Sequence, residues 1–510
     1  MRRTAVVAGV VTVLAPFLLT GASTASAATK GSLTVRTLDR SGKPVYAQVA
    51  VYNTKTSDFR YIESNKAASL PNGSYELATS FTDAQGDGAN VGGHSVKVSG
   101  ATKTTFDART GHQVKVSLSP NPGSGYDHMV SAYVCTTDNS PAAMGLSAES
   151  GHLYVIPTTD KAYELSYATA YTSRSVTGGD FWLATATHRG GVPSGMSATL
   201  RRTGLTTLKV TARSGPDSGP AQFSFDQQST GDDACPMYTN RLELQRDLPD
   251  SFRAHLPPGK WSVSQDGHDS VSNAFHAYAA GRTTTLNIDH AVWGPGGQLP
   301  YTWYHRLYFG DDNLFADPSL PYGGTLTAGN MKLTHAGKTL YSRDYTPVGG
   351  ASAQLRIPST GWYTLTETGR RSLPAGSLST SSSLSLHFYA DTAKNQQIRD
   401  YITRFWPNSL NSRNQAPAGA TTTVVLGMQR SGTGDGTVGQ LSDGVKSVHT
   451  WYTTDNGAHW HASPAKLSNG RWTVPVHNPP SGGRVGLRST VTDTHGDSAT
   501  TTVYNAYAVS

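Results

Sequence analysis

Alternation of apolar and polar residues is the dominant pattern along this chain, and it has the two-residue period of half-buried β-strands. Near the start, apolar and polar positions alternate over residues 33–37, and after the polar turn at 39–44 the alternation resumes over 45–51. This arrangement predicts two strands that pair as a hairpin. Similar short runs, separated by turns rich in glycine and proline, recur as far as residue 507. The pattern therefore predicts an all-β protein.

A short phrase occurs three times and marks the entry into a strand each time. It reads Leu70-Pro71-Asn72-Gly73-Ser74-Tyr75, then Leu256-Pro257-Pro258-Gly259-Lys260-Trp261, then Ile357-Pro358-Ser359-Thr360-Gly361-Trp362. Proline fixes φ and lacks an N–H, glycine supplies the backbone freedom that a corner needs, and the aromatic residue that follows begins a half-buried strand. The recurrence indicates a chain built from successive β modules.

Turn-rich linkers divide the chain into tandem β-sandwich modules. We predict a signal peptide over 1–27 and modules over 28–120, 121–295, 296–413 and 414–510. The last module has enough turn-bounded strands for an immunoglobulin-like sandwich. Two further features have structural consequences. Residues 391–406 fit a helical or an alternating spacing, of which we favour the strand, and residues 280–289 weakly repeat residues 99–107.

The first residues have the features of a secretory signal peptide. The basic start Met1-Arg2-Arg3 precedes an apolar run over 5–19, and Ala25-Ser26-Ala27 is a small-x-small cleavage site. Cleavage is expected between Ala27 and Ala28, which predicts a secreted, extracellular protein. We expect no membrane span, because the apolar run is short and no second run of spanning length follows.

Composition and charge narrow the classes of partner. Charged residues make up only 15% of the chain, whereas Gly (53) and Tyr (24) are abundant, as suits a secreted β protein. The formal net charge of +7 is spread over a long chain, and no run of Lys or Arg is interleaved with aromatic residues. We therefore expect no nucleic-acid partner, no cofactor and a monomer, with an extracellular protein, peptide or polysaccharide as the partner.

The chain has two cysteines, Cys135 and Cys235. An exported protein meets an oxidising environment, so we expect the two to form a disulfide that closes a long loop. A metal pair or a catalytic thiol is the alternative, although neither cysteine has a Cys or His nearby at ligand spacing.

Several motifs suggest chemistry but have a simpler structural interpretation. The segment 453–460 matches an Asp box, in which Asp455 caps a turn and Trp460 packs beneath a hairpin, leaving His459 and His461 facing water. The polar residues 311–313 suggest calcium, but they lack an alternate-residue ligand loop, so we favour a polar turn. Asp217-Ser218-Gly219-Pro220 resembles a fragment of serine-protease motifs, yet no matching histidine motif accompanies it. A divergent serine peptidase or other hydrolase therefore stays an alternative.

The aromatic run over residues 301–309 is the best candidate binding surface in the sequence. We assign the candidate surface to Trp303, Tyr304, Tyr308 and Phe309, as a platform for carbohydrate or peptide. The structural alternative is a core strand with one exposed aromatic face.

Several phrases resemble the accessory region that follows the catalytic domain in large secreted bacterial subtilisin-like proteases. They are Gly31-Ser32-Leu33-Thr34-Val35, Asp39-Arg40-Ser41-Gly42-Lys43-Pro44, the first corner, Thr105-Phe106-Asp107-Ala108-Arg109, and the C-terminal Val485-Gly486-Leu487-Arg488, Thr492-Asp493-Thr494-His495-Gly496-Asp497-Ser498 and Tyr504-Asn505-Ala506-Tyr507. The first module is also similar to carboxypeptidase-regulatory or prealbumin-like modules. No catalytic domain has a counterpart here, so the resemblance transfers no catalytic residue. It implies an extracellular, non-enzymatic β protein with a binding or structural role.

Overall fold

A computed structural model describes most of the chain. It covers residues 30–510 apart from positions 85, 87, 139, 216–218, 229–234, 236–238, 267–270, 273–274, 297–298, 311–313, 319–321, 324–327, 346–352, 374–375, 392 and 430–443. The predicted signal peptide and its cleavage site at Ala27 and Ala28 lie outside the described residues. Strands account for 63% of the chain, so the protein is all-β, as predicted.

Residues 30–120 form eight strands and one short 3-10 helix. The strands are β1 (Lys30–Leu38), β2 (Gln48–Asn53), β3 (Phe59–Glu63), β4 (Ala67–Pro71), β5 (Gly73–Thr82), β6 (Ala89–Val98), β7 (Ala101–Asp107) and β8 (His112–Ser119), and the helix is Ala108–Thr110. 

Within residues 121–295, the described part contains the next fourteen strands. They are β9 (Tyr126–Thr136), β10 (Met144–Glu149), β11 (Leu153–Val155), β12 (Tyr163–Ser173), β13 (Asp180–Arg189), β14 (Met196–Arg201), β15 (Thr206–Ala212), β16 (Pro220–Gln227), β17 (Arg241–Asp247), β18 (Asp250–Leu256), β19 (Gly259–Asp266), β20 (Val271–Ser272), β21 (His276–Tyr278) and β22 (Thr283–Ile288).

The remaining strands complete the third and fourth parts of the chain. They are β23 (Tyr301–Trp303), β24 (Arg306–Phe309), β25 (Tyr322–Gly323), β26 (Ala328–His335), β27 (Lys338–Tyr345), β28 (Ala353–Arg356), β29 (Gly361–Arg370), β30 (Ser381–Ala390), β31 (Gln396–Gln397), β32 (Ile402–Pro407), β33 (Gln415–Ala416), β34 (Thr421–Gln429), β35 (Val445–Thr453), β36 (His461–Ala462), β37 (Lys466–Ser468), β38 (Arg471–His477), β39 (Arg484–Asp493) and β40 (Ser498–Val509). Segment 391–406 therefore contains strand and not helix, as favoured above.

The first sandwich corrects the prediction of an opening hairpin. Strand β1 pairs with β4 and β7 in one sheet, whereas β2 pairs with β3 and β5 in another. The two sheets pack through a shared core that includes Leu33 and Phe106 on one side and Val49 and Leu77 on the other. The turn after β1 thus carries the chain from one sheet to the other. Strands β1 and β2 face the same core but pair with different neighbouring strands.

Two large sheets extend across the predicted module boundaries. One has the strand order β14-β8-β11-β6-β5-β2-β3 and so contains strands from both sides of residue 120. Another joins β30 of the third part to β40 of the fourth through a seven-residue ladder, from Ser381↔Tyr504 to His387↔Ser498. Neighbouring sandwiches therefore share backbone hydrogen bonds, while the division into four folding modules stays a prediction.

The weak sequence repeat coincides with a repeated arrangement of strands. In the first sandwich β7 runs parallel to β1, and β4 flanks β1 on its other side. In the second, β22 runs parallel to β15, and β18 flanks β15 on its other side. In both cases the flanking strand runs into a corner phrase, which explains why corner and repeat recur together.

Each corner phrase connects two strands, as predicted, and a buried aromatic residue closes each corner with a hydrogen bond; at the third corner this residue is Tyr363, which follows the phrase, and not Trp362, which is 40% exposed. The Tyr75 hydroxyl donates to the Pro71 carbonyl at 2.7 Å, and the Trp261 indole N–H donates to the Pro257 carbonyl at 2.8 Å. At the third corner the donor is the Tyr363 hydroxyl and the acceptor the Ser359 carbonyl. All three aromatic rings are buried. A buried polar head needs a partner, and in each case the carbonyl four residues earlier provides it.

A buried arginine connects the linker after the second sandwich to the last one. The Arg404 guanidinium is 2% exposed and donates to the carbonyls of Gly294, Pro295, Ala316 and Asp317. Burial lowers its pKa to about 10, and the charge of Asp317 opposes that shift. Four carbonyl acceptors replace the lost water, so the cation fixes two linker segments against β32.

Asn414 forms a second set of buried hydrogen bonds where the second sandwich, the linker and the last sandwich meet, a region that we call the junction. Its side-chain amide donates to the carbonyls of Ser214 (3.0 Å) and Asp289 (2.7 Å), and its Oδ1 accepts from the Ala291 N–H (3.1 Å). Arg213 adds two bonds to carbonyls at residues 410–411. The second sandwich, the linker and the last sandwich are thus joined by buried polar contacts.

The predicted disulfide between Cys135 and Cys235 is present. The two Cα atoms are 5.7 Å apart, and the bridge spans 100 residues of sequence. Cys135 lies near the end of β9.

We expect the Cys135→Ser variant to lose about 2–5 kcal/mol of unfolding free energy, because the unfolded chain regains the entropy of a long loop. Urea denaturation at neutral pH measures the change. Cys235→Ser and the double variant should show the same loss, since one bond is removed in every case. Additive losses would contradict this account.

The junction also predicts a pH dependence. Burial, reinforced by the charge of Arg213, lowers the pKa of His290 to about 4. The unfolded chain therefore binds more protons than the folded chain between about pH 6.5 and 4, so stability falls as the pH falls through this window. We expect His290→Asn to remove about 1–3 kcal/mol of that loss, measured by denaturation at pH 7 and pH 4.5. The exposed His449→Asn should leave the pH dependence unchanged.

Candidate functional site

The predicted aromatic surface lies on a two-residue hairpin. Strands β23 and β24 pair through Thr302↔Leu307, and the loop between them consists of Tyr304 and His305. Thr302 and Leu307 are buried, and Leu307 belongs to the hydrophobic core of the third part of the chain, which we call the third core and which also contains Leu365 and Phe388. Because side chains alternate along a strand, burying this face places Trp303 and Arg306 on the opposite one.

Two of the four predicted surface residues lie close together and exposed, whereas Phe309 is buried. Trp303 is 50% exposed and Tyr304 75% exposed, with ring centroids 5.9 Å apart. Tyr308 is partly buried and stacks on Tyr301 at 4.9 Å. Phe309 is only 5% exposed and packs in the third core, so it does not contribute to a surface. It follows Leu307 on the buried face, an alternation that the dense aromatic run obscured.

We define the hairpin tip as residues 303–306, all four of which are exposed. The tip is anchored from one side by the segment leading into β31. The Tyr304 N–H donates to Asn395 Oδ1 at 2.9 Å, and the Thr302 hydroxyl donates to the Lys394 carbonyl at 2.8 Å. Backbone pairing of β23 with β31 supports the same face. The aromatic side chains are therefore held on an ordered backbone.

The loop of the hairpin tip adopts a backbone conformation that its residues disfavour. Tyr304 has φ +45° and His305 φ +62°, the left-handed values of a type I′ turn, which favours Asn-Gly. A comparable hairpin between β26 and β27 places Ala336-Gly337 in its loop, and most other described non-glycine residues with positive φ are Asn, Asp or Ser. Two bulky residues in this conformation cost of order 1–3 kcal/mol each and point to a functional constraint.

A second exposed aromatic group lies on β29 and β30. The Trp362 ring stacks on His387 at 4.9 Å and meets Tyr389 edge-on at 5.5 Å. Trp362 is 40% and Tyr389 46% exposed. Sequence reasoning did not single out this group. Its signal was available in the third corner phrase, where two adjacent aromatic residues must face opposite sides of the strand.

The cavity at the junction is small. It has a volume of about 90 Å³ and is lined by Trp293, Leu248 and Leu378 together with Ser214 and Arg371. The guanidinium lies 4.8 Å from the Trp293 ring centroid and donates to the Leu378 and Ser379 carbonyls. Ligand pockets usually measure some 300–1,000 Å³. This space suits a few water molecules, one of which would satisfy the unpartnered Ser214 hydroxyl.

Three side chains are linked by hydrogen bonds in the order hydroxyl, imidazole and carboxylate, which is the order of a catalytic triad. The Thr207 hydroxyl lies 2.9 Å from His255 Nδ1, and His255 Nε2 lies 3.1 Å from Asp180 Oδ1. Thr207 and His255 are directly opposite on adjacent strands. The same cross-strand Thr–His pair recurs at Thr364 with His387 and at Thr421 with His477. Recurrence at unrelated places favours a packing device of exposed sheet faces over a catalytic triad.

Other sequence candidates have structural roles or lie elsewhere. Asp455 Oδ1 accepts from the Thr453 hydroxyl and the His459 N–H, which confirms that Asp455 caps the predicted turn. Trp460 is only partly buried and packs edge-on against Tyr504. The candidates Asp217, Ser218 and 311–313 lie outside the described residues.

Two searches of the described part of the chain gave negative results. It contains no group of three or more His, Cys, Asp or Glu side chains arranged to hold a metal ion. Nor does any helix within it have the length and apolar character needed to cross a bilayer.

Comparisons with known proteins give no family. No protein-family model matches the chain, and no curated protein matches it. Solved structures that match include one described as a Bacteroides ovatus cell adhesion protein, with 12% identity, 35% of this chain and 91% of that chain covered, and a TM-score of 0.14.

Two further solved structures match the chain. The FN1–FN3 domains of chicken CNTN1 show 11% identity, coverage of 58% and 99%, and a TM-score of 0.13. A streptococcal ancillary pilin shows 13% identity, coverage of 55% and 95%, and a TM-score of 0.14. Such TM-scores carry no argument about function.

The strain in the hairpin tip gives a direct test. We expect the double variant Tyr304→Asn, His305→Gly to gain about 1–2 kcal/mol of unfolding free energy, because both residues favour the type I′ turn. Urea denaturation measures the gain, and a crystal structure checks that the loop keeps its turn. Ala336→Asn in the comparable hairpin replaces one residue at φ +48° and should give a smaller gain of the same sign. A destabilised double variant would contradict the assignment of strain.

Proposed function

We propose that this chain is a secreted, non-catalytic β protein that binds an extracellular partner through the hairpin tip. The observation that carries the proposal is the pairing of exposure with strain. Trp303 and Tyr304 are exposed on a loop whose backbone neither Tyr304 nor His305 favours. In a surface loop without a function we would expect residues that suit the turn, such as Asn-Gly.

The composition of the hairpin tip favours a protein or peptide partner. Trp303, Tyr304 and Arg306 belong to the three residue types most enriched among the residues that dominate binding energy at protein interfaces. Two aromatic rings supply contact area at a low entropy cost, and Arg306 adds hydrogen-bond donors. A polysaccharide is the second class, since flat aromatic rings also stack on sugars.

The sandwiches behind the hairpin suit a supporting role. The ladder between β30 and β40 couples the third and fourth parts of the chain, and the four hydrogen bonds of Arg404 hold the segments at residues 294–295 and 316–317 against β32. A site on a supported sheet edge is more precise than one on a free loop. Kinship with the accessory regions of subtilisin-like proteases is part of the same proposal and rests on the sequence phrases alone.

A hydrolase is the competing proposal. Among the described residues, the support for a hydrolase is the hydrogen-bonded side chains of Thr207, His255 and Asp180. The same Thr–His pair recurs elsewhere, however, which argues for a structural role. A fluorophosphonate probe separates the two proposals, because it labels activated hydroxyl nucleophiles irrespective of substrate. Labelling at Thr207 or Ser218 would overturn the non-catalytic proposal.

Binding can be tested with arrays of extracellular proteins, peptides and polysaccharides probed with the mature chain. We expect Trp303→Ala and Tyr304→Ala each to weaken binding about tenfold or more, as truncation of a central aromatic residue does. The matched control is Tyr61→Ala, which removes another exposed aromatic ring, on β3, and should change the Kd less than twofold.

Circular dichroism should show that all three variants stay folded. Two results would contradict the proposal: binding that survives both tip variants, or wild-type protein that binds no member of any array. A tip-dependent signal on the polysaccharide array alone would assign the partner to the second class.

A further inference from the structure

Three aspartates meet where the third sandwich contacts the last one. Asp400 precedes β32, Asp493 is the last residue of β39, and Asp497 lies in the turn between β39 and β40. Asp400 and Asp493 are each 1% exposed, whereas Asp497 is partly buried. We call these three residues the carboxylate cluster.

The polar atoms of the carboxylate cluster are incompletely satisfied. Asp493 Oδ1 accepts from the N–H groups of His495 (2.7 Å) and Asp497 (3.0 Å), and Asp497 Oδ1 accepts from the Tyr389 N–H (2.9 Å). In contrast, both oxygens of Asp400 and Oδ2 of Asp493 are buried without a hydrogen-bond partner. Such groups are rare in native proteins because desolvation without a partner costs free energy.

Among the described residues, the basic groups near this charge are two histidines. The ring of His495 lies 3.5 Å from Asp493 Oδ2, which is beyond a good hydrogen bond, and its side chain is 69% exposed. His387 is the other basic group that acts on Asp497. Burial, then the charges of Asp497 and Asp493, raise the pKa of Asp400 to about 9. A proton shared between Asp400 and the free Oδ2 of Asp493 is the alternative way to remove this charge.

We propose that the carboxylate cluster binds a calcium ion between Asp400 and Asp493. The three free oxygens, two from Asp400 and one from Asp493, are the hard ligands that Ca²⁺ prefers, and Asp497 adds negative charge beside them. The described residues lack a ready-made set of three such side chains. The proposed site has two carboxylate ligands, and further oxygen ligands would have to complete the shell.

A calcium site with only two carboxylate ligands is expected to have modest affinity. Calcium sites of extracellular modules have Kd values of about 10⁻⁴–10⁻³ M, a range that fits this ligand count. Because Asp400 belongs to the third part of the chain as predicted and the other two aspartates to the fourth, the ion would strengthen the contact between the two sandwiches. The inference is independent of the hairpin tip and of any partner bound there.

The test uses the full mature chain after removal of metal with EDTA. We expect about 10 mM CaCl₂ to raise the Tm by several degrees relative to NaCl of equal ionic strength, and calorimetry to show one site. Asp400→Asn should lose the calcium response while being more stable than the wild type in NaCl, because it no longer buries an unpaired charge.

Two further variants keep the test decisive. Asp493→Asn retains the Oδ1 acceptor of the turn but removes the charge, so it should also lose the response if Asp400→Asn fails to fold. Glu149→Gln removes an exposed carboxylate on β10 and should respond as the wild type does. A wild-type Tm that is unchanged by calcium, or a full response in both aspartate variants, would overturn the proposal.

Discussion

A hydrogen bond from a buried aromatic side chain to the carbonyl four residues before it sets the corner of three sandwiches. Tyr75, Trp261 and Tyr363 each place a large ring in a core and its polar atom against the backbone of the turn. The ring contributes apolar burial, and the bond prevents its polar head from being desolvated without a partner. Because one side chain satisfies both demands, the corner fixes which face of the following strand points inward.

The sandwiches are coupled because their junctions are also satisfied internally. The two terminal nitrogens of Arg404 and the side-chain amide of Asn414 donate to carbonyls of segments that would otherwise be loops between modules. Removing either side chain would leave several buried carbonyls without partners, a larger cost than losing a surface contact. The linkers therefore behave as part of the packed structure and not as flexible spacers.

The sequence predicted the features that depend on interactions between residues close together in the chain. The corners, the strand in 391–406, the capped turn at Asp455 and the disulfide follow from residues near one another or from the expected compartment. The pairing of β1 did not, because alternation identifies a strand without its partner. Phe309 was misplaced since an aromatic run hides which face is buried. The carboxylate cluster joins residues 93 positions or more apart through Asp400, and no sequence spacing signals such a contact.

Departures from local consistency carry more functional information here than the features that obey it. Asn414, Asn456 and Asn469 show that this chain uses asparagine where φ must be positive, so Tyr304 and His305 stand apart for a reason other than folding. Likewise, Arg404 and Asn414 in the junction form several hydrogen bonds through their side chains, whereas neither carboxylate oxygen of Asp400 has a partner. Natural sequences usually agree with their folds at every level except at functional sites. A strained, exposed loop fits a partner that contacts its side chains, and an unpaired buried carboxylate fits an ion that supplies the missing charge.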